Sequence, residues 1–454
     1  MRTRPPATYL SILLALALVT AEACSGSDDD DETPAEASDE SAEAADIPTG
    51  NCVSDPTQQV EGDTLRLVSS YPQSGPTAAF AEIASGWKAY FQMVNEEEGG
   101  VEFGGRTFQV ETEDRDDEYN PERTKVNIEE MAGPEGDGAF AVFSVVGTAN
   151  NLAIRDTLNE LCVPDVFVAS GSPAWGNPDF PWLIGSTLAP YTLESRLFAQ
   201  LLEDEAPDAQ VAMLVQDDDF GAAYQQGFEQ AIGGTDIEVT DIQEYASGAS
   251  DVGRQVTSLA AGGADAYFDG ATLLACPDGL TEAQANEWQP ITWVSGTCIT
   301  KTLLGAAGAA ADGVYSLTTI MDPLDPAFDD TEAMQLYREK VAQYSPGGDA
   351  DDGFVAYGWT QAAVFVEALA AADRPTRLAL MQSLRNLDVT DTGLLLPGVT
   401  LETSADDLFM GEDVQLVRYD FEGEGARNHF SAVGDLTDLE GRTAEFTPPD
   451  LITG

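Results

Sequence analysis

The sequence predicts an α/β fold built on parallel sheets. Three observations carry that expectation. The 454-residue chain alternates apolar β segments with helical ones almost strictly, the pattern of a parallel sheet with helices on both faces. Two successive apolar strands end in small polar turns: 140–146 runs into Gly147-Thr148-Ala149-Asn150-Asn151, and 166–169 into Ser170-Gly171-Ser172. Such turns form the carboxyl edge of a parallel sheet, where backbone N–H groups and hydroxyls beside a helix N-terminus receive ligands. Finally, the length suits two or three domains better than one small core. Taken alone, each turn also fits ordinary helix capping by Ser and Thr.

In order along the chain, residues 1–24 read as an export signal. Arg2 and Arg4 precede an apolar core at 9–19, too short to span a bilayer core of ~30 Å. Its end, Ala21-Glu22-Ala23-Cys24, resembles a lipobox, in which the Cys becomes the lipidated N-terminus; Ala21 and Glu22 depart from the usual pattern. Residues 25–50 are rich in Asp, Glu, Ala and Ser, with no basic or aromatic residue. They are expected to form a disordered, extended tether. The run 28–31 is not read as a calcium site, because such a site needs ligands on an ordered loop.

The globular part begins near Cys52. A strand at 64–68 enters the loop 69–76. A helix follows with Phe80, Ile83, Ala84, Trp87, Phe91 and Val94 on one face, at helical spacing. A strand at 108–111 leads to an acidic loop (Asp114, Asp116, Asp117) and a helix opening at Asn120-Pro121, with Asn as cap and Pro in the first turn. The stretch 140–172 comes next. A second α/β run begins after 182–185: a helix at 192–202, then strands at 210–215, 237–242, 266–268, 291–294 and 313–317. Helices are expected at 334–344, 355–371 and 378–387, and a last strand at 414–418.

The segment Gly147-Thr148-Ala149-Asn150-Asn151-Leu152-Ala153-Ile154-Arg155-Asp156, with Val163-Pro164 and Phe167-Val168-Ala169-Ser170-Gly171, resembles the type I periplasmic-binding-protein family. More closely, it is similar to the branched-chain-amino-acid-type solute-binding lipoproteins of ABC importers. The resemblance covers roughly 65–418. It implies a two-lobed clamshell with three hinge crossings: 51–187 and 320–388 in lobe 1, 188–319 and 389–454 in lobe 2. It also implies a monomeric, exported, lipid-anchored protein that meets permease subunits, binds a small solute in the interlobe cleft and needs no cofactor or metal. Carried over by position, the ligand contacts are Ser74, Phe80, Thr148, Ser170, Gly171 and Ser172 in the first lobe, and Tyr191, Phe220 and Thr272 in the second lobe and hinge. Hydroxyls and N–H groups would hold a carboxylate, and aromatic rings would shape an apolar pocket. One departure matters. Amino-acid-binding members place an acid after the strand equivalent to Trp293-Val294, to pair with the ammonium group. Here that turn reads Ser295-Gly296-Thr297-Cys298, with Asp217–Asp219 as the candidate substitutes. Pro181-Trp182 and Pro190-Tyr191 resemble relatives that take aromatic or other carboxylates. The expected ligand is therefore a small carboxylated solute, its amino group left open.

Charge and cysteines fit export. The chain carries 80 acidic against 20 basic residues, a formal net charge of −60. That excess argues against nucleic-acid or anionic-membrane binding, both of which need basic patches. It suggests a saline habitat, where about 1 M salt shortens the Debye length to ~3 Å. With Cys24 as the anchor, Cys52, Cys162, Cys276 and Cys298 form an even set for an oxidising compartment. Three pairings are possible. The favoured one joins Cys276 with Cys298, two strand-end loops of the second lobe, and by subtraction Cys52 with Cys162.

No enzyme motif stands out. Asp219-Phe220-Gly221 matches a kinase triplet without its companion motifs. His429 is the single histidine, which argues against triad hydrolases and multi-histidine metal sites. A two-carboxylate glycosidase needs only acids and is the main enzymatic rival. The rival binding role is a sensory receptor domain of the same fold.

Overall fold

The computed structural model describes residues 46–134 and 138–453. The export signal, Cys24 and most of the expected tether lie outside the described residues.

The first lobe is built on β1 (Thr64–Tyr71), β2 (Val101–Phe103), β3 (Arg106–Asp116), β4 (Ala141–Phe143) and β5 (Asp165–Val166). They form one sheet in the order β2-β3-β1-β4-β5. β1 runs parallel to both β3 and β4, β4 runs parallel to β5, and only the β2–β3 hairpin is antiparallel. Its helices are α1 (Ala81–Met93), α2 (Pro121–Ala132) and α3 (Thr148–Leu161). The stripe from Phe80 to Val94 is buried along α1 as its spacing predicts. Asn120 caps α2 by accepting from the Arg123 N–H, with Pro121 in the first turn.

β4 and β5 are shorter than the apolar runs suggest. Regular pairing stops after Phe143 and Val166 because Ser144 and Phe167 both adopt left-handed backbone, each with φ of 55°. A fully buried glutamine braces both kinks. The Ser144 hydroxyl donates to Gln361 Oε1 at 2.8 Å, and Gln361 Nε2 donates to the Phe167 carbonyl at 3.1 Å. The chains meet again at a single bridge, Val146 with Ala169.

The second lobe follows as α4 (Tyr191–Glu205), β6 (Gln210–Gln216), α5 (Asp219–Ala231), β7 (Glu238–Tyr245), α6 (Gly253–Gly262), β8 (Ala266–Gly270), α7 (Ala275–Ala285), β9 (Ile291–Val294), α8 (Lys301–Ala307) and β10 (Tyr315–Thr318). The chain then returns through α9 (Glu332–Tyr344), α10 (Gly353–Ala371), α11 (Arg377–Leu384) and the hairpin β11 (Asp388–Thr390) with β12 (Thr400–Glu402). It ends with β13 (Asp413–Asp420), β14 (His429–Ala432), β15 (Thr437–Asp438) and two short helices, Thr443–Phe446 and Pro449–Thr453. The second sheet has the order β14-β13-β10-β9-β8-β6-β7, with β15 against β13. β6 to β10 are parallel; β13 joins β10 antiparallel.

α9, α10 and α11 pack with α1 on one face of the first sheet, in the largest apolar cluster. α10 is apolar enough to resemble a membrane span, but most of it is buried in that core. The second sheet has a core on each face. The segment after α11 departs from the expected division at 388. Leu394, Leu395, Val399 and Leu401 pack into the first lobe's core, so the β11–β12 hairpin stays with the first lobe and the chain crosses later, before β13. The first two crossings touch where Thr319 Oγ1 donates to the Thr187 carbonyl at 2.8 Å, and Ile320 bridges Leu395 in the β11–β12 connection. The disulfides are Cys52–Cys162 and Cys276–Cys298.

Candidate functional site

The principal cavity lies between the lobes, bounded by the hinge, with an empty volume of about 1020 Å³ including its mouth. Its first-lobe wall comes from Phe80 and Ile83 at the start of α1, Tyr119 after β3, Gly147 at the N-terminus of α3, and Phe354 and Tyr357 on α10. The second lobe adds Tyr191 at the start of α4, Phe220 on α5, Thr272 after β8, and the turn after β9 with Gly296 and Thr297. The floor is the hinge, Thr187–Ala189 and 317–323. The lining is therefore drawn from the carboxyl ends of both sheets.

Aromatic packing shapes this space. Phe80 stacks on Tyr119 at 5.8 Å between centroids and meets Phe354 at 5.3 Å; Tyr191 meets Phe220 edge-on at 5.1 Å. Tyr119 is seated by two consecutive left-handed residues, Glu118 and itself. Its ring lies so close to Gly147 that a Cβ there would fall 2.7 Å from Tyr119 Cε2. Glycine is required at that position both for space and for its φ of 104°.

Among the described residues the lining holds no Lys, Arg or His, and one carboxyl, Asp322. That carboxyl accepts the Leu324 and Phe430 N–H groups at 2.8 and 3.0 Å, while burial raises its pKa. Burial also raises the phenols of Tyr119, Tyr191 and Tyr357, so they stay neutral. The Tyr357 hydroxyl pairs with Ser186 at 2.5 Å. Thr187 Oγ1 is buried without a protein partner. The site can enclose an apolar body and offer it neutral hydroxyls and backbone N–H groups.

Across the mouth, Lys301 of α8 reaches Asp349 and Asp351 ahead of α10, at 3.0 and 3.4 Å. Thr302 Oγ1 donates to Asp352 at 3.0 Å, and Asp352 caps α10 through the Phe354 N–H. These polar contacts join the lobes outside the apolar lining.

Four of the residues expected from the sequence line the cavity: Phe80, Tyr191, Phe220 and Thr272. Thr148 and Ser170 sit one layer behind Gly147 and Ala169, buried, with their hydroxyls 2.8 Å apart. Gly171 backs onto Tyr191, accepting its N–H at 2.8 Å. Ser172 caps the short turn after it. Ser170, Gly171 and Ser172 border a separate, smaller hinge pocket with Trp175 and Phe409. Ser74 is exposed and donates to Asp116 at 2.5 Å, away from the cavity. Of the acids considered as ammonium partners, Asp218 caps α5 and accepts from Gln216; none of Asp217–Asp219 lines the cavity. The sequence marks the turn after β9 as a ligand turn, though not Thr297 itself as a contact; it does not mark Tyr119 or Tyr357. Tyr357 lies on a mostly apolar helix, and nothing in the residues around Tyr119 announces its left-handed backbone.

Two lobes closing on a cavity at the carboxyl ends of both sheets define a ligand-binding clamshell. The chain belongs to the periplasmic binding protein family, whose profile matches residues 64–425. Among solved structures it is similar to a substrate-binding periplasmic protein from Ralstonia solanacearum, at 23% identity and TM-score 0.69, covering 81% of this chain and 100% of that one. It is also similar to a branched chain amino acid ABC transporter protein from Thermus thermophilus with bound valine, at 19% identity and TM-score 0.71, covering 84% and 97%. A fatty acid ABC transporter substrate-binding protein from Thermomonospora curvata matches at 19% identity and TM-score 0.70, covering 85% and 95%. No curated protein matches the chain by sequence.

Proposed function

We propose that this protein is the extracytoplasmic solute-binding component of an ABC importer, anchored by lipid on Cys24. It closes as a monomer on a small carboxylated solute, an amino acid or an aliphatic or aromatic carboxylate, and hands it to permease subunits. It performs no chemistry on the solute. The observation that carries this reading is the apolar cavity shared by both lobes and the hinge. A ligand there contacts both lobes only when they are closed, so it shifts the population toward the closed form.

The cavity supports a carboxylate without a lysine or arginine. α3 is a 14-residue helix whose N-terminus opens at Gly147 on the cavity wall, and free first-turn N–H groups there favour an anion. Aromatic rings from both lobes suit an alkyl or aryl body. The Thermus protein with valine and the fatty-acid protein span a matching range of ligands.

A thermal-shift screen with leucine, valine, hexanoate and benzoate tests the reading. A ligand held at about a hundred times its Kd adds ~2.7 kcal/mol of stability, a resolvable rise in melting temperature. Phe220→Ala, which removes a buried ring from the second-lobe wall, should abolish the rise. No shift with any of the four, or a shift indifferent to Phe220→Ala, would refute it.

A further inference from the structure

Three carboxyls from separate stretches of the C-terminal part converge on one point. Asp407 lies on the last crossing, Glu412 at the entry to β13 and Glu440 in the turn after β15. One oxygen from each falls within 4.8 Å of the others. Glu412 is fully buried and the other two are half-buried. None of them lines the interlobe cavity. Glu412 accepts the Gly441 and Thr443 N–H groups, each at 2.7 Å. Asp407 Oδ1 accepts the Phe409 N–H at 2.9 Å, while its Oδ2 lies 3.8 Å from where a Cβ on Gly441 would stand. Both acids therefore face the turn that carries Glu440.

Among the described residues no positive side chain offsets the three. The charges that bear on Glu440 are those of Glu412, Asp407, Glu402 and Asp413, all negative. Arg442, the cation nearest in sequence, pairs with Glu445 at 3.5 Å and lies over the Phe446 ring at 5.2 Å. A second observation, separate from the acids, points to the same place. Thr443 is fully buried, and its Oγ1 is turned toward Glu412 without a hydrogen-bond partner. Its N–H is taken by Glu412 and its carbonyl by the Thr447 hydroxyl at 2.8 Å, so the residue is fixed in that position. A buried hydroxyl left unpaired is costly. Beside a cation it becomes a neutral oxygen ligand.

We propose that Asp407, Glu412, Glu440 and the Thr443 hydroxyl form a calcium site, which ties the last crossing to the turn after β15. Acidic, all-oxygen donors select a hard cation. Calcium takes oxygens at about 2.3–2.6 Å, so ligands on opposite sides of it stand about 4.6–5.2 Å apart. A set of oxygens within 4.8 Å of one another fits around such an ion with little movement. Magnesium, at about 2.0–2.1 Å, demands a regular octahedron no more than about 4.2 Å across. The bound ion turns the mutual repulsion of three carboxylates into attraction. Shared protons are the other way to quiet such a cluster, and they do not respond to a calcium chelator.

The test uses the full exported chain at about pH 8, where ordinary carboxyls are ionised. About 1 M NaCl suppresses diffuse cation binding by the acidic surface. Calorimetric titration of EGTA-stripped protein with CaCl2 should show one saturable site, in the ~10⁻⁴–10⁻³ M range of extracellular calcium modules. About 10 mM CaCl2 should then raise the melting temperature by roughly 2–3 °C over EGTA, and MgCl2 by less than half as much. Glu440→Gln and Asp407→Asn should each lose the site and the calcium-dependent rise. In EGTA both should melt no lower than the wild type, because a repelling charge is gone. The wild-type titration decides the matter even where a variant fails to fold. No saturable site in the wild type, a calcium rise that persists in either variant, or an equal rise with magnesium would overturn the proposal.

Discussion

Two glycines let the helices that carry the first-lobe wall touch backbone to backbone. A Cβ on Gly358 of α10 would fall 1.9 Å from the Ile83 carbonyl oxygen and 2.8 Å from its carbon. One on Gly86 of α1 would fall 2.0 Å from the Val355 oxygen and 2.6 Å from the Trp359 nitrogen. Consider Gly358→Ala. Helix propensity alone makes the change favourable by ~1 kcal/mol. Against it stands an overlap of more than about 1 Å with backbone atoms that no rotamer change can move. Relief requires one helix to slide away, loosening Trp87, Phe91, Val355 and Trp359, all in the largest apolar cluster. Overpacking of a tight core costs ~1–3 kcal/mol and more when backbone must shift, and the lost contacts add to that. The net expectation is destabilisation by about 2–3 kcal/mol. With ~2.1 cal/mol/K of unfolding entropy per residue over about 400 residues, that lowers the melting temperature by roughly 3 °C.

Gly305→Ala in α8 is the control. It has open space around its Cβ position, so the same propensity should appear there as a gain of up to ~1 kcal/mol. Differential scanning calorimetry of the three proteins compares the two terms directly. A melting temperature for Gly358→Ala equal to or above the wild type would refute the steric argument. The shift should also reach the cavity, because α10 carries Phe354 and Tyr357 and α1 follows directly on Phe80.

Other perturbations give separable outcomes. Raising NaCl to about 1 M should raise the melting temperature, because screening relieves repulsion among the excess carboxylates; an unchanged value would leave the charge imbalance without the saline meaning given to it. Breaking Cys52–Cys162, which spans 110 residues, should cost about 5 kcal/mol, and breaking Cys276–Cys298, which spans 22, about 3. Urea midpoints of the two double-serine variants should follow that order, and the reverse order would contradict loop-closure entropy as the cause. Asp165 is fully buried with neither carboxyl oxygen partnered, and burial raises it to about 8. Its folded value lies above its unfolded one, so the folded form holds a proton that the unfolded form releases above about pH 4. Stability from this group is therefore full below about pH 4 and declines as pH rises toward 8. Asp165→Asn should match the wild type near pH 4 and exceed it near pH 8.5 in urea unfolding; a variant weaker at the higher pH would show that the charged form has a partner.

The parts of the molecule that were legible in the sequence are those set by local rules. Alternating periodicity placed the parallel strands, the stripe from Phe80 to Val94 placed α1, and Asn120-Pro121 placed the start of α2. The missed parts depend on partners far away in the chain. Ser144 and Phe167 look like strand residues, and their left-handed backbone is stable because Gln361, 217 and 194 residues later, takes both kinks. Those kinks end the ladder early and turn Thr148 and Ser170 toward each other instead of into the cleft. The β11–β12 hairpin reads as part of the second lobe by position, but its Leu394, Leu395, Val399 and Leu401 pack in the cluster built mainly on the first lobe. The fully buried Glu194 of α4 was invisible for a simpler reason. It is one of 80 acids, and no spacing marks it as buried.

Surface and interior obey opposite rules for that excess of acids. The cavity lining has a single carboxyl, because a charge facing an apolar cleft loses its hydration with little in return. The carboxylates that are buried elsewhere separate into two kinds by what they accept. Glu194 takes an N–H from the turn at Gly296, and Glu412 takes those of Gly441 and Thr443, each at 2.7 Å. Removing either would leave backbone donors orphaned, which costs more than the acceptor contributed. Asp165 takes nothing, so its removal orphans nothing. The first kind fixes a turn, and in Glu194 that turn borders the cleft.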